Sequence, residues 1–482
     1  MKKQTPTIVN SLAWNTLGNS AAILFSLAAL VVLSRILTPF DFGLYGMAIT
    51  VLMIPETLVH GPLQESLIQR KTVDDEHINT INTVSCGLAI VAFLLIIGFA
   101  PLIADLFRTK ELVPVLQVTA TLLLTGPFTA TAASFLIRNL SFKQITYVDV
   151  VGNLVPALIG LACAVLLKSV WALVWMELSK RVIRMVMFMW LSGYRPRLLY
   201  VPEKMRELAH YSGHAYLLGF VMSVQRALPS ALVGAVMGAV PLGLFNMALR
   251  FFEQANQAII MPFASVSFPM FAKDQFNRPE LHKTLNQTLK LANTITLPAF
   301  MGAIVLMPLL LPIIIGEQWI PAVAATQLSL ILGPLTMIEF INRSLMKALG
   351  RPDLAAGITV VSCLFTVVGV LSVVHFEIEA VMGVLIAQKL LTLLMMGYLV
   401  QKYAGFTPTQ QVRPILLPAA GALAMGFVVL VLRDRVMLDV DPAIRAALLI
   451  AAGVATYGLV ISMISPATLK QAIGMVLRRK RA

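Results

Sequence analysis

Apolar runs of roughly 20 residues recur along the whole chain, separated by short polar stretches. A helix of about 20 apolar residues crosses the hydrocarbon core of a bilayer, whereas a membrane barrel strand needs only about 9–11, so the runs read as helical spans. The pattern places six of them near 11–34, 42–60, 80–104, 112–137, 146–167 and 169–191. Six more fall near 209–234, 241–268, 287–313, 320–346, 354–375 and 378–401, and two follow near 413–432 and 443–464. The expected fold is an all-α polytopic membrane protein of about fourteen transmembrane helices.

The chain also repeats itself. Phe42-Gly-Leu-Tyr-Gly-Met-Ala-Ile49 returns as Leu242-Gly-Leu-Phe-Asn-Met-Ala-Leu249, and Leu136-Ile-Arg-Asn-Leu-Ser141 matches Leu345-Met-Lys-Ala-Leu-Gly350. The second alignment sets Lys180 opposite Lys389. A period of about 200 residues with six spans in each copy predicts two parallel six-helix repeats related by an axis along the membrane normal, an arrangement characteristic of transporters. The expected domains are 1–195, 196–403 and a C-terminal pair of helices with a basic tail in 404–482.

Composition removes the soluble alternative: 58% hydrophobic and 12% charged residues cannot pack as a water-soluble globule of 482 residues. The net charge of +14 is unevenly placed. With the N-terminus inside, 22 Lys and Arg lie on inner loops and tails against 7 outside, the latter being Arg35, Arg108, Lys110, Lys168, Arg433, Arg435 and Arg445. The positive-inside rule therefore puts both termini in the cytoplasm. The tail Arg478-Arg-Lys-Arg481 is assigned to anionic headgroups rather than nucleic acid.

Met1-Lys-Lys3 before an apolar run imitates a secretory leader, but no small-residue cleavage site precedes Arg35, and the run reads as an uncleaved first span. Cys86, Cys163 and Cys363 are widely separated within apolar runs and read as packing residues. The chain has no phosphate-binding Walker loop, nucleophile elbow, zinc spacing or dinucleotide fingerprint, so it reads as a non-enzyme with no cofactor and no metal site. Energy for transport would come from a proton or sodium gradient, the membrane potential or downstream consumption.

Four segments carry a family resemblance. They are Leu33-Ser-Arg-Ile-Leu-Thr-Pro-Phe-Asp-Phe-Gly-Leu44, Leu67-Ile-Gln-Arg-Lys71, Leu242-Gly-Leu-Phe245 and Lys347-Ala-Leu-Gly-Arg-Pro-Asp353. On these the chain resembles the polysaccharide-repeat-unit flippases of the multidrug/oligosaccharidyl-lipid/polysaccharide exporter superfamily, of the exopolysaccharide, capsule and O-antigen type. The resemblance implies two six-helix bundles around a central cavity, two extra helices and alternating access. The implied cargo is an undecaprenyl-diphosphate-linked oligosaccharide, moved to the periplasmic leaflet of a bacterial inner membrane. A polysaccharide polymerase and co-polymerase are candidate partners. A multidrug or organic-cation antiporter of the same superfamily and a peptidoglycan-precursor flippase are the alternatives.

Ionisable residues inside spans are expensive and mark candidate sites. Asn246, Arg250, Glu253, Gln254 and Gln257 share one helical face on the eighth span. Arg250 there can grip a phosphate in a bidentate manner, or pair internally with Glu253. Arg226 on the seventh span has no carboxylate four residues either way, and Pro229 is expected to break that helix locally. The apparent relatives often carry an acid near this point, so an acid-based coupling site is not expected there.

Lys180 and Lys389 could hold a diphosphate between the repeats. The alternative reading pairs Lys180 with Glu177 while Arg181 and Arg184 snorkel to the interface. Glu339 and Arg343, four apart, read as a structural pair or a gate, and Glu56 after Pro55 as a proton or sodium site or an interfacial acid. Asn15 and Asn19 with Ser11 and Ser26 offer a polar face suited to sugar or to helix packing. Eight expected intramembrane cations against five acids favour an anionic cargo over an organic cation.

Overall fold

The computed structural model describes residues 25–60, 67, 73–436 and 441–464. Among these residues the regular structure is helical throughout. The first unit begins with α1 (Phe25–Ile36), α2 (Pro39–His60), α3 (Asp75–Leu106) and α4 (Leu112–Arg138, with a step at Thr121). It continues with α5 (Phe142–Leu167), α6 (Trp171–Ser192) and α7 (Pro202–Met237). Then α8 covers residues 239–274, its segments Ala239–Ala255 and Met261–Asp274 joined by a π turn over Asn256–Ile260.

The remainder is α9 (Arg278–Ile315), α10 (Glu317–Ala348, opening with a 3-10 turn), α11 (Pro352–Val373), α12 (Ile378–Ala404), α13 (Pro408–Arg435, its last turn π-helical) and α14 (Pro442–Ile464). Each expected span overlaps one of these helices. Eleven helices among the described residues are long and apolar enough to cross a membrane on length and composition alone. The others are α1, described only from Phe25; α6, which carries Glu177, Lys180, Arg181 and Arg184; and α8, divided by its π turn.

The motifs that carry the resemblance have local physical jobs. Thr38 caps α2: its hydroxyl accepts from the Asp41 N–H at 3.3 Å while the Asp41 carboxylate accepts from the Thr38 N–H at 2.9 Å. Pro39 then supplies the first helical φ without an N–H to orphan. Between α10 and α11 the turn Leu349-Gly-Arg351 needs Gly350 at φ +72°, and Pro352 restarts the helix.

Packing divides the chain into two compact units, residues 1–246 and 247–482. In the first unit the start of the repeated octapeptide, at Gly43, meets the start of its second copy, at Gly243. A Cβ on Gly43 would overlap the Ala239 carbonyl, and one on Gly243 would overlap the Pro39 carbonyl. Residues 39 and 43 stand 200 positions before 239 and 243, so this is a reciprocal, locally two-fold crossing of the starts of α2 and α8. Only hydrogen in place of a side chain at Gly43 and Gly243 lets the backbones approach so closely.

Lipid as solvent inverts the usual link between hydropathy and burial. The most hydropathic span, α3, has 17% of its apolar window buried, whereas α2 has 56% and α4 50%. The helices that face acyl chains need an unbroken apolar surface, and those inside the protein are free to carry Ser, Thr and Asn. In the second unit α13 and α14 pack on α9 through Ala422, Met425, Val429, Leu449, Tyr457 and Ile461. The Tyr457 hydroxyl donates to the Thr294 carbonyl at 2.9 Å.

Pro229 departs from expectation, because α7 runs unbroken from Pro202 to Met237 with that proline inside. The neighbouring Ser230 is buried and donates to Asn246 Oδ1 at 3.0 Å, so packing against α8 holds the segment helical. A proline inside a membrane helix is tolerated where neighbouring groups compensate it.

Candidate functional site

Among the described residues, three charged groupings lie within the spans. In the first unit Arg181 of α6 is shared by two acids: its Nη2 donates to Glu56 Oε1 of α2 at 2.8 Å and its Nε to Glu177 Oε1 at 2.9 Å. One guanidinium against two carboxylates leaves the triad with one formal negative charge. One turn further on, Arg184 Nη1 donates to Asp149 Oδ1 of α5 at 2.7 Å. Gly152 makes room for it, since a Cβ there would press on the Arg184 stem.

Sequence spacing had offered Lys180 as the partner of Glu177, with Arg181 and Arg184 at the interface. Instead Glu177 takes Arg181, and both arginines are held inside by acids. The i, i+4 order with Glu first is the favourable orientation on a helix, and the longer guanidinium also reaches Glu56. Lys180 is left half-buried, with no ion-pair partner among the described residues. It sits nine residues into the 22-residue α6, about 13 Å from its start.

Arg226 is exposed on α7 and likewise takes part in no ion pair among the described residues. Its apolar segment runs Gly219–Met237, which puts Arg226 about 10 Å from the Gly219 end and about 16 Å from the Met237 end at 1.5 Å per residue. One turn earlier the Ser223 hydroxyl is 2.5 Å from the Thr57 hydroxyl of α2, so the turn below Arg226 is docked.

On α8 the stripe divides. Asn246 is engaged by Ser230 and packs beside Gly46. Arg250 and Gln254 are half-buried, Glu253 and Gln257 exposed. Glu253 joins no ion pair among the described residues, so Arg250 and Glu253 do not neutralise each other. The π turn over Asn256–Ile260 contains Gln257, the last residue of this stripe. Such bulges in membrane helices recur at functional sites because they displace side chains from the α-helical register.

The second unit holds the opposite balance. Glu339 on α10 is 7% exposed and accepts from Arg343 Nε and from Lys389 Nζ of α12, each at 2.7 Å. Arg343 Nη1 continues to Thr359 Oγ1 of α11 at 3.2 Å. Two cations on one acid leave this triad with one formal positive charge. Lys389, aligned with Lys180 by the repeat, is thus committed to a carboxylate where Lys180 is not. Asn15 and Asn19 lie outside the described residues.

Sequence reasoning missed the cross-helix partners. Glu56 and Arg181 are 125 positions apart, as are Asp149 and Arg184 by 35, and no periodicity within one helix carries that information.

Comparisons with known proteins agree with this architecture. A solved lipid II flippase in an inward closed conformation matches with a TM-score of 0.80 at 14% identity, over 94% of this chain and 99% of that one. An inward-facing multidrug transporter matches with a TM-score of 0.62 at 15% identity, over 80% and 95%. Both likenesses concern the fold. In sequence, the lipopolysaccharide biosynthesis protein WzxC of Escherichia coli is 22% identical over 424 residues, 85% of this chain and 84% of that protein. The succinoglycan biosynthesis transport protein ExoT of Rhizobium meliloti is 21% identical over 313 residues, 65% and 63% of the respective lengths. Residues 32–324, more than half of the chain and inclusive of the glycine crossing and the Arg181 triad, match the model of one family. The chain belongs to the polysaccharide biosynthesis protein family.

Proposed function

We propose that the chain is an alternating-access flippase that carries an undecaprenyl-diphosphate-linked oligosaccharide from the cytoplasmic to the periplasmic leaflet of a bacterial inner membrane, for exopolysaccharide, capsule or O-antigen assembly. The observation that carries this reading is Arg226, a guanidinium in mid-span with no ion-pair partner among the described residues. A membrane-embedded cation costs at least a few kcal/mol unless it faces water or an anion. A diphosphate is such an anion, and a guanidinium meets it with two parallel hydrogen bonds.

Lys180 is a second cation of the first unit with no ion-pair partner among the described residues, and on the second unit Arg250 is a further candidate for phosphate, with Gln254 and Gln257 as amides for sugar hydroxyls. Lys389 supports the site indirectly, by compensating Glu339. The Glu56–Glu177–Arg181 triad is the coupling candidate, because its surplus negative charge can take up a proton or a sodium ion. The roles of the relatives, lipopolysaccharide biosynthesis for WzxC and succinoglycan biosynthesis transport for ExoT, support a polysaccharide precursor as cargo. The two repeats, 1–195 and 196–403, would be the halves that alternate, with both termini in the cytoplasm.

Translocation of labelled undecaprenyl-diphosphate oligosaccharide in proteoliposomes tests this. Wild type should transport it, and Arg226→Ala should lower the rate ten- to a hundredfold, corresponding to the roughly 1.5–3 kcal/mol of a charged hydrogen bond. Transport of lipophilic cations in place of the anionic lipid would overturn the reading.

A further inference from the structure

Between α6 and α7, residues 194–201 cross the first turns of α3 as an extended strap. The backbone N–H groups of Arg197, Leu199 and Val201 donate to Asn79 Oδ1, Thr83 Oγ1 and Thr80 Oγ1 at 3.0, 3.1 and 3.1 Å. Alternate N–H groups turned to the same neighbour are the signature of an extended chain, whose side chains alternate between two faces. One face holds Arg195, Arg197 and Leu199, and the other Pro196, Leu198 and Tyr200. Leu198 is 88% exposed and Tyr200 55%, although both are apolar-bodied.

The depth of the strap follows from α3. That helix has 32 residues, about 48 Å at 1.5 Å each, and exceeds a hydrocarbon core of about 30 Å by about 18 Å, or roughly 12 residues. The excess is its polar start, where His77, Asn79, Thr80, Asn82 and Ser85 are buried in protein. The strap is therefore at headgroup level, on the side of the membrane that bears most of the basic loop residues.

The charges beside it are uneven. Lys204 is occupied by Asp74 at 3.0 Å. The Asp74 carboxyl is held well below the usual carboxylate range, first by the His77 backbone N–H and then by Lys204. Arg195, Arg197 and Arg206 are exposed and join no ion pair among the described residues.

We infer that this strap is a lipid-docking element, in which Leu198 and Tyr200 enter the acyl–headgroup boundary and Arg195, Arg197 and Arg206 bind anionic phospholipid headgroups of the inner leaflet. An apolar face opposed to a basic face at interfacial depth is the composition that binds anionic bilayers, with each basic residue near the surface adding attraction. The backbone ladder holds the strap on the first turns of α3, so the element that meets lipid is built into the fold.

The test uses the full chain with Cys86→Ser, Cys163→Ser and Cys363→Ser, a nitroxide label at Leu198→Cys or Arg197→Cys, and nanodiscs with or without phosphatidylglycerol. The Leu198 label should be relaxed by oxygen more than by a water-soluble nickel complex, and the Arg197 label less so. Phosphatidylglycerol should deepen the Leu198 label, and Arg195→Gln, Arg197→Gln and Arg206→Gln together should abolish that response. Tyr200→Cys, on the same face, serves where Leu198→Cys fails to fold. Equal nickel accessibility of the Leu198 and Arg197 labels in both lipids would overturn the inference. So would shielding of the Leu198 label from both reagents, which would mean that protein covers it.

Discussion

Glu339 and Glu56 are both intramembrane acids paired with arginine, yet their neighbourhoods make opposite demands. Glu339 compensates Arg343 and Lys389 together, so Glu339→Gln leaves two half-buried cations without an acid. Breaking a buried pair in this way costs on the order of 3 kcal/mol. Glu56→Gln leaves Arg181 still held by Glu177 and should cost much less. Thermal unfolding in detergent should show a clearly lower midpoint for Glu339→Gln than for Glu56→Gln. The double variant Glu339→Met with Lys389→Met should recover part of the loss, since it removes a charge of each sign. Equal midpoints for the two single variants would mean that Glu339 is not the structural centre of its triad. At this scale the sequence showed the pairs within one turn, Glu339 with Arg343, but the reading that gave Glu177 a partner named Lys180 where the structure has Arg181. The deciding group was Glu56, which lies on another helix and draws Arg181 toward both acids.

Between elements, the repeat acquires a physical meaning. The octapeptide is duplicated, and its two glycines pack reciprocally on the carbonyls of Pro39 and Ala239. Any side chain at Gly43 or Gly243 must force α2 and α8 apart. Gly43→Val or Gly243→Val should therefore destabilise by about 1–3 kcal/mol, the usual cost of overpacking. Gly87 and Gly98 of α3 have nothing within reach of a Cβ. Alanine there should be neutral or stabilising by up to about 1 kcal/mol through helix propensity. Detergent-solubilised melting curves of the four variants provide the comparison, and a loss at Gly98 equal to that at Gly43 would contradict the crossing. Helix positions were legible because lipid enforces long apolar runs. The π turn in α8 was not, because Asn256–Ile260 carries no residue that demands an extra residue in the turn.

At the scale of the whole molecule, the two charged triads carry opposite formal charges, and the proposed cargo is an anion. Outward movement of net negative charge is favoured by about 2.3 kcal/mol per charge at 100 mV, inside negative. Imposing such a potential on proteoliposomes of uniform orientation should shift the final distribution of labelled lipid by up to about fiftyfold for each net charge moved. A distribution indifferent to potential but responsive to pH or sodium would assign the compensating cation to the Glu56 triad. The sequence by itself determined that the chain lives in a membrane, that its spans are helical, that it is internally duplicated and which residues are costly to bury. These follow from one-dimensional signals: run length, period and composition. Only the tertiary structure decided that Lys389 is committed to Glu339 while Lys180 and Arg226 join no ion pair among the described residues, and that residues 194–201 dock on α3. Those outcomes depend on which helices lie side by side, and contacts between residues 50 to 121 positions apart leave no periodic trace in a single chain.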